Sequence, residues 1–415
     1  MKRYVKAFLL AGYLAVMAGC SAGENAASRK EDERFLKVVG KEIRDHHGEG
    51  NPVALHGINL GGWLLREGWM DPIGYDYRSS SSFMDDFGSR TLMIERFGEE
   101  ETDRLLAYYQ KVYIQASDLD LIRELGLNFV RVPIYWEIIL DRKGFLKADA
   151  FDRLDWVVEE CKKRDIYVML DLHGAPGGHS DGYQTGGTLG SNLLWTNEQY
   201  LEWTIQIWQS IATRYRGNAT VLGYDLLNEP VADPKGSFTN ATMYDILYQA
   251  VREVDPDHII ILGAFYNFDY LCDPAKFGWT NVIYQTHHYM SDRRYDENAQ
   301  RSFMEGQLAY IKHYRDLWNV PVYPGEYNFW NHPKVWTSWL SELNREGIMW
   351  SSWTYKNTDS DPVNSWGIWQ ANEFPTPNLR VDSPEEIRQK WDAFSSLFYQ
   401  YNEMLAGVIR SAAKK

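Results

Sequence analysis

From about residue 35 onward, two hydrophobic periods alternate along the chain. Short runs rich in β-branched and aromatic residues are separated by longer stretches whose apolar positions recur every three or four residues. The short runs predict strands over residues 53–59, 128–133, 166–173, 221–228, 258–263, 282–289, 321–326 and 348–355. The longer ones predict helices over 151–164, 198–215, 243–254, 302–318, 335–345 and 384–405, with another at 90–112 inside a long connection, 60–116. Alternating strand and helix implies a parallel sheet. Eight strands, each followed by a helix, close into a (β/α)8 TIM barrel. Residues 35–45 predict a small hairpin or lid at the barrel bottom. No linker divides the remainder, so residues 34–415 are read as one domain.

In such a barrel, chemistry gathers at the C-terminal ends of the strands. Polar residues that interrupt the apolar runs collect there: Arg131 at the end of strand two, Asp171 and His173 at three, Asn228 and Glu229 at four. His287 and Tyr289 end strand six, Glu326 ends strand seven, and Trp353 lies in strand eight. Charged groups on buried strands need partners or a function. Loops on this face are long, as substrate clefts require. Residues 174–196 are Gly-rich, and 356–383 carry Trp366 and Trp369.

Composition narrows the ligand. The 17 Trp and 27 Tyr exceed what a core needs, and their flat faces suit the C–H faces of sugars. A net charge of −14 disfavours nucleic acid and polyanionic glycans, leaving a neutral polymer as the best fit. Lys2, Arg3 and Lys6 precede a short apolar run, the pattern of a signal peptide and too short for a mature membrane span. Met17-Ala18-Gly19-Cys20 resembles a bacterial lipobox. That resemblance implies a signal peptide over 1–19, lipidation of Cys20 and a tether over 20–33. The protein would then be exported and anchored by lipid in the cell envelope. Cys161 and Cys272 make no disulfide framework, and each is expected to be a buried small hydrophobe.

Glu229 and Glu326 carry the candidate chemistry. Hydrolysis of a glycosidic bond with retention needs two carboxyl groups about 5–5.5 Å apart, one attacking the anomeric carbon and one protonating the leaving oxygen. Strands four and seven face each other across a barrel mouth and can supply them. At about 5 Å and an effective dielectric near 20, two carboxylates repel by about 3 kcal/mol, roughly two pKa units. Ionising one therefore helps keep the other protonated. Arg131 and Tyr289 beside Glu326 would favour its charged form and leave Glu229 as the acid. This chemistry calls for no metal or organic cofactor.

These motifs resemble glycoside hydrolase family 5. Gly57-Ile58-Asn59-Leu60-Gly61-Gly62-Trp63-Leu64 is similar to the opening strand and loop of its exo-β-1,3-glucanase-like members. Arg131-Val132-Pro133, Asp171-Leu172-His173, Asn228-Glu229-Pro230, His287-His288-Tyr289 and Gly325-Glu326 match the family's strand-end motifs in order. The resemblance implies that Glu229 is the acid/base and Glu326 the nucleophile. It also implies that Asn228 holds the sugar 2-hydroxyl, that Arg131, His173, His287 and Tyr289 line the site, and that Trp353 is the platform beneath the cleaved sugar. The Gly-Gly-Trp opening and Gly174-Ala175-Pro176-Gly177-Gly178 resemble the exo-glucanase and β-1,6-glucanase branch. The expected substrate is a β-glucan, with β-1,3 or β-1,6 linkages ahead of β-1,4 and with β-mannan as an alternative, acted on by a monomer. Outer aromatic subsites are expected from Trp136, Trp195, Tyr183, Trp366 and Trp369, with Glu67 binding a hydroxyl.

Two other classes compete. Asp171, His173, His287 and His288 could suggest a metallohydrolase, but His287 and His288 should point to opposite faces of one strand. A surface glycan binder without turnover would share the aromatics and the anchor, but it would not need both glutamates.

Overall fold

The computed structural model describes residues 33–70, 85–180, 182–187, 192–358, 364–371 and 375–414. Cys20, the rest of the targeting segment and the side chain of Tyr183 lie outside these. Strands β1 (Lys37–Val39) and β2 (Glu42–Arg44) form the expected antiparallel hairpin. Eight further strands follow: β3 (His56–Asn59), β4 (Phe129–Tyr135), β5 (Tyr167–Gly174), β6 (Val221–Asp225), β7 (Ile259–Gly263), β8 (Val282–His288), β9 (Val322–Tyr327) and β10 (Trp350–Ser352). They form one sheet in the order β10-β3-β4-β5-β6-β7-β8-β9, and every pairing is parallel. The join between β9 and β10 is made by side chains. The Gly325 carbonyl accepts from Ser351 Oγ at 2.6 Å and from Asn59 Nδ2 at 2.9 Å. This is the expected TIM barrel.

Strand alternation explains the interior. Phe129, Tyr167, Met169, Ile283, Tyr323 and Met349 fill the lower barrel and are closed off by Leu36 and Ile43 of the hairpin region. Val130, Val132, Val168, Leu170, Val282 and Tyr284 point outward into the main core. Continuing the inward set toward the strand ends gives Arg131, Asp171, His173, Gln285 and His287. The residues that fill the lower barrel and those that could do chemistry therefore share one face.

The helical layer departs from expectation in three places. The predicted 90–112 helix is two helices, α1 (Asp86–Phe97) and α2 (Glu99–Tyr113), broken at Gly98, whose φ of 83° no helix accepts. Then follow α3 (Ala116–Glu124), α4 (Asp152–Lys162), α5 (Glu198–Tyr215), α6 (Asn240–Val254), α7 (Glu297–Trp318) and α8 (Pro333–Arg345). The predicted 384–405 helix is also two, α9 (Pro384–Trp391) and α10 (Glu403–Ala413). The second starts afresh because the Asn402 side chain accepts from Leu405 N–H at 3.1 Å. No α-helix follows β7. Asn267 and Asp273 instead cap two short 3-10 turns, and Tyr310, Tyr314 and Trp318 of α7 cover Phe268 on that flank. None of the helices is long and apolar enough to cross a membrane among the described residues. Cys161 is buried as expected, whereas Cys272 is half-buried because it sits in the irregular segment after β7.

Candidate active site

Arg131 organises the barrel mouth. It sits inside β4 rather than at its end, because that strand runs on to Tyr135. Its Nε donates to Asp225 Oδ2 at 2.7 Å. Nη1 donates to Asn59 Oδ1 at 3.1 Å and to Glu326 Oε1 at 2.8 Å. Nη2 donates to Asn228 Oδ1 at 2.9 Å and lies 3.1 Å from Asp171 Oδ2. One planar guanidinium thus serves three buried carboxyl groups from β5, β6 and β9, a task its fork suits and an ammonium would not. Burial pushes both Asp171 and Asp225 up to about 7, against the pull of Arg131.

Glu326 occupies the penultimate position of β9. Its other oxygen accepts from the Tyr289 hydroxyl at 3.0 Å. Arg131 and Tyr289 both meet this carboxylate, the placement that the sequence reading offered as a hypothesis. Gly325 precedes it because a Cβ there would lie 2.4 Å from the Gln285 amide.

Glu229 lies beyond the end of β6, not within it. Its φ is 47°, a left-handed backbone conformation unusual outside glycine, and Pro230 follows. The His179 Nε2 contact to Asn228 O, at 2.5 Å, braces this turn. Glu229 Oε1 lies 2.7 Å from His287 Nδ1, and Oε2 accepts from Gln184 Nε2 at 3.0 Å. Burial pushes the Glu229 carboxyl up to about 7, while the Gln184 hydrogen bond and Arg131 pull it down. Desolvation, rather than like-charge repulsion from Glu326, is the leading cause, which corrects the emphasis of the sequence reading.

One carboxyl oxygen from each of Glu229 and Glu326 and the His287 ring nitrogen all lie within 4.8 Å of one another. That gap fits a sugar carbon flanked by an acid and a nucleophile. The same three atoms could in geometry hold a cation. The Arg131 guanidinium, 2.8 Å from Glu326, would repel one there.

Asn228 and His173 form the wall beside Glu229. Asn228 Nδ2 lies 3.0 Å from His173 Nε2, and His173 Nδ1 lies 2.6 Å from Asp171 Oδ2. Burial and Arg131 lower His173 to about 3, so the ring is neutral, with its proton on Nδ1 toward Asp171. Trp353 follows β10 directly and stacks on His173 at 5.4 Å and 18°. Gly61 makes room for it, because a Cβ there would lie 2.8 Å from the indole. Trp366 is half-buried among Trp69, Tyr289 and Trp330, with ring centroids 5.0–5.5 Å away. Glu67 is buried and accepts from Trp69 Nε1 at 2.7 Å. His288 points to the other face of β8 and packs edge-on against Trp339 of α8.

Three further aromatics were expected as outer sugar platforms. Trp195 is buried, and its N–H donates to His179 O at 3.0 Å, so it packs the loop. Trp369 belongs to a small outer sheet, stacks edge-on with Tyr401 and donates to Tyr355. Trp136 stacks on Trp203 and lines a cavity of about 420 Å³ that shares no residue with the carboxylate cluster. Sequence reasoning missed Asn59, His179, Gln184, Asp225 and Gln285. Asp225 and Gln285 were detectable as polar residues inside buried strands. Gln184 carried no such signal, because loops are polar anyway.

Residues 87–359 match the family model described as Cellulase (glycosyl hydrolase family 5). The chain belongs to glycosyl hydrolase family 5. Within the family it is similar to a β-xylosidase from Phanerodontia chrysosporium, 27% identical over 78% of this chain and 71% of that protein. It is also similar to a glucan 1,3-β-glucosidase from Pichia angusta, 30% identical over 57% of this chain and 55% of the relative, so the chain spans about half of that protein's length. The rutinosidase from Aspergillus niger shares the fold, with a TM-score of 0.61 at 18% identity over 80% of this chain and 93% of that structure. As a family 5 member, the chain is a glycoside hydrolase.

Proposed function

We propose that this chain cleaves β-glucan by double displacement, with Glu326 as nucleophile and Glu229 as acid/base. One observation carries the roles. Glu326 meets a guanidinium and a phenol, whereas Glu229 meets a neutral imidazole and an amide. In the first step, Glu326 attacks the anomeric carbon while the Glu229 proton passes to the leaving oxygen. Glu229 then takes a proton from a water that frees the glycosyl-enzyme. Asn228 holds the 2-hydroxyl, Trp353 forms the floor beneath the sugar, and Arg131, His173, His287 and Tyr289 orient the acids.

The similarity to a glucan 1,3-β-glucosidase supports β-1,3 linkage first, with β-1,6 next. An activated 2-deoxy-2-fluoro glucoside should label Glu326, and a label on any other residue would overturn the assignment. Product analysis on laminarin, pustulan, cello-oligosaccharides, mannan and xylo-oligosaccharides decides the linkage; no release from laminarin or pustulan would reject the proposed substrate. The Cys20 motif supports a lipid anchor in the bacterial envelope. Labelling with a palmitate analogue that vanishes in Cys20→Ser is the expected result, and soluble, unlabelled wild type would refute it.

A further inference from the structure

The two acids need opposite protonation states, and the hydrogen bonds leading to them reveal how the fold imposes those states. Gln285 lies two residues before His287 on the inward face of β8 and is buried. One of its terminal amide atoms lies 3.2 Å from Arg131 Nη2 and 2.7 Å from His287 Nε2; the other lies 2.6 Å from Asp225 Oδ2 and 3.1 Å from the Tyr323 hydroxyl. A guanidinium has only donors, so the amide atom facing Arg131 is the oxygen, whatever the state of Asp225. The NH2 then faces Asp225 and Tyr323, and all four amide positions are satisfied.

The consequence falls on His287. Its Nε2 meets an oxygen and must carry a proton. Burial lowers the ring to about 3, so it holds one proton only, and Nδ1 is left as a bare acceptor. The atom 2.7 Å from Nδ1 is Glu229 Oε1. A short contact between a bare ring nitrogen and a carboxyl oxygen is favourable only if the carboxyl brings the proton. The groups facing this pair from neighbouring elements are Glu326, Arg131, His173, Tyr289 and Gln184, and none of them supplies that proton.

We infer that Gln285 is a positioning residue: it fixes the tautomer of His287 and thereby holds Glu229 as a protonated acid. Arg131 then sets both carboxyl groups from one place. It donates to Glu326 directly, and it reaches Glu229 through Gln285 and His287. A Nδ1-protonated His287 would instead donate to Glu229 and stabilise the ionised form, which cannot protonate a leaving group.

This inference rests on Glu229 being the acid, and two measurements separate the claims. The first is the 15N spectrum of histidine-labelled wild-type protein below the Glu229 titration. His287 should give the pattern of an Nε2-protonated neutral ring; an Nδ1-protonated or doubly protonated ring overturns the inference whether or not the protein hydrolyses glycans. The second is Gln285→Leu, compared on two glucosides. With a poor leaving group, the high-pH limb of kcat/KM should move down by about one pH unit. With a dinitrophenyl leaving group, which departs without a proton, the glycosylation rate should stay within about twofold. An equal loss on both substrates with an unmoved limb would mean that Gln285 only supports packing, and the inference fails. Wild type without turnover on either substrate would reject the proposed function and leave the tautomer measurement standing.

Discussion

His287 Nδ1 lies 2.7 Å from Glu229 and 3.5 Å from Glu326, so one ring nitrogen sits between the two acids of the site. The distances are unequal, and the nearer acid is the one that burial holds up at about 7. Activity should therefore fall as pH rises through about 7, when Glu229 loses its proton. Stability follows with a definite sign. An unfolded Glu ionises near 4.5 and the folded Glu229 near 7, so between those values the native state holds a proton that the unfolded state has lost. Relative to Glu229→Gln, wild type should lose stability as pH rises across that window, by about 3 kcal/mol, and change no further above it. Thermal unfolding of the pair below and above the window checks this, and a pH-independent difference would refute it.

Removing each acid should have a distinct signature. Glu326→Gly should lower kcat by about 10⁵-fold on every substrate. Glu229→Ala should lower it by about 10²–10⁴-fold on natural glucans but far less on dinitrophenyl glucosides, because only the former need the proton. Added azide should then give the β-glucosyl azide with Glu229→Ala and the α-anomer with Glu326→Gly. Product NMR distinguishes these outcomes, and the reverse pattern would exchange the roles.

Arg131 should be intolerant even of a conservative change. Arg131→Ala leaves Asp171, Asp225 and Glu326 buried around a void, and breaking such a cluster costs about 3–5 kcal/mol. Arg131→Lys retains a charge but cannot reach Asp225, Glu326 and Asn228 together. Both variants should lower Tm, the alanine more, and Lys should still lose most of the activity. A lysine variant with near-normal turnover would show that the fork is dispensable.

Trp366 tests whether the aromatics above the site bind sugar. It packs against Tyr289, which in turn holds Glu326. If Trp366 only stacks on bound glucan, Trp366→Ala should raise KM about tenfold and leave kcat nearly unchanged. A fall in kcat with steady KM would mean that it acts through Tyr289 instead. Steady-state kinetics on a laminari-oligosaccharide series distinguishes the two.

Much of this architecture was readable from side-chain alternation. Arg131, Asp171, His173 and His287 stand out because each interrupts an apolar strand, and period two predicts their common face. Helix ends were read less well. Gly98 and Asn402 restart helices through backbone and capping geometry that a three-to-four-residue apolar rhythm runs straight across. Aromatics at strand ends and in loops were the weakest guide: Trp136, Trp195, Trp353 and Trp366 look alike in sequence, and only packing separates a loop anchor from a platform. Gln285 was missed for a different reason. It does interrupt a buried strand, but a neutral amide carries no charge that demands a partner, and which of its ends faces which neighbour emerges only from the atoms around it.

Among the described residues, the Arg131 guanidinium stands against four carboxyl groups at the barrel mouth, Asp171, Asp225, Glu229 and Glu326. Each acid that ionises beyond the first adds a charge that Arg131 does not offset. An occupant that turns positive at its ring oxygen lowers the energy of that surplus, and so does a basic nitrogen installed at the same ring position. A uronic acid raises it, so an acidic sugar should bind here more weakly than its neutral counterpart.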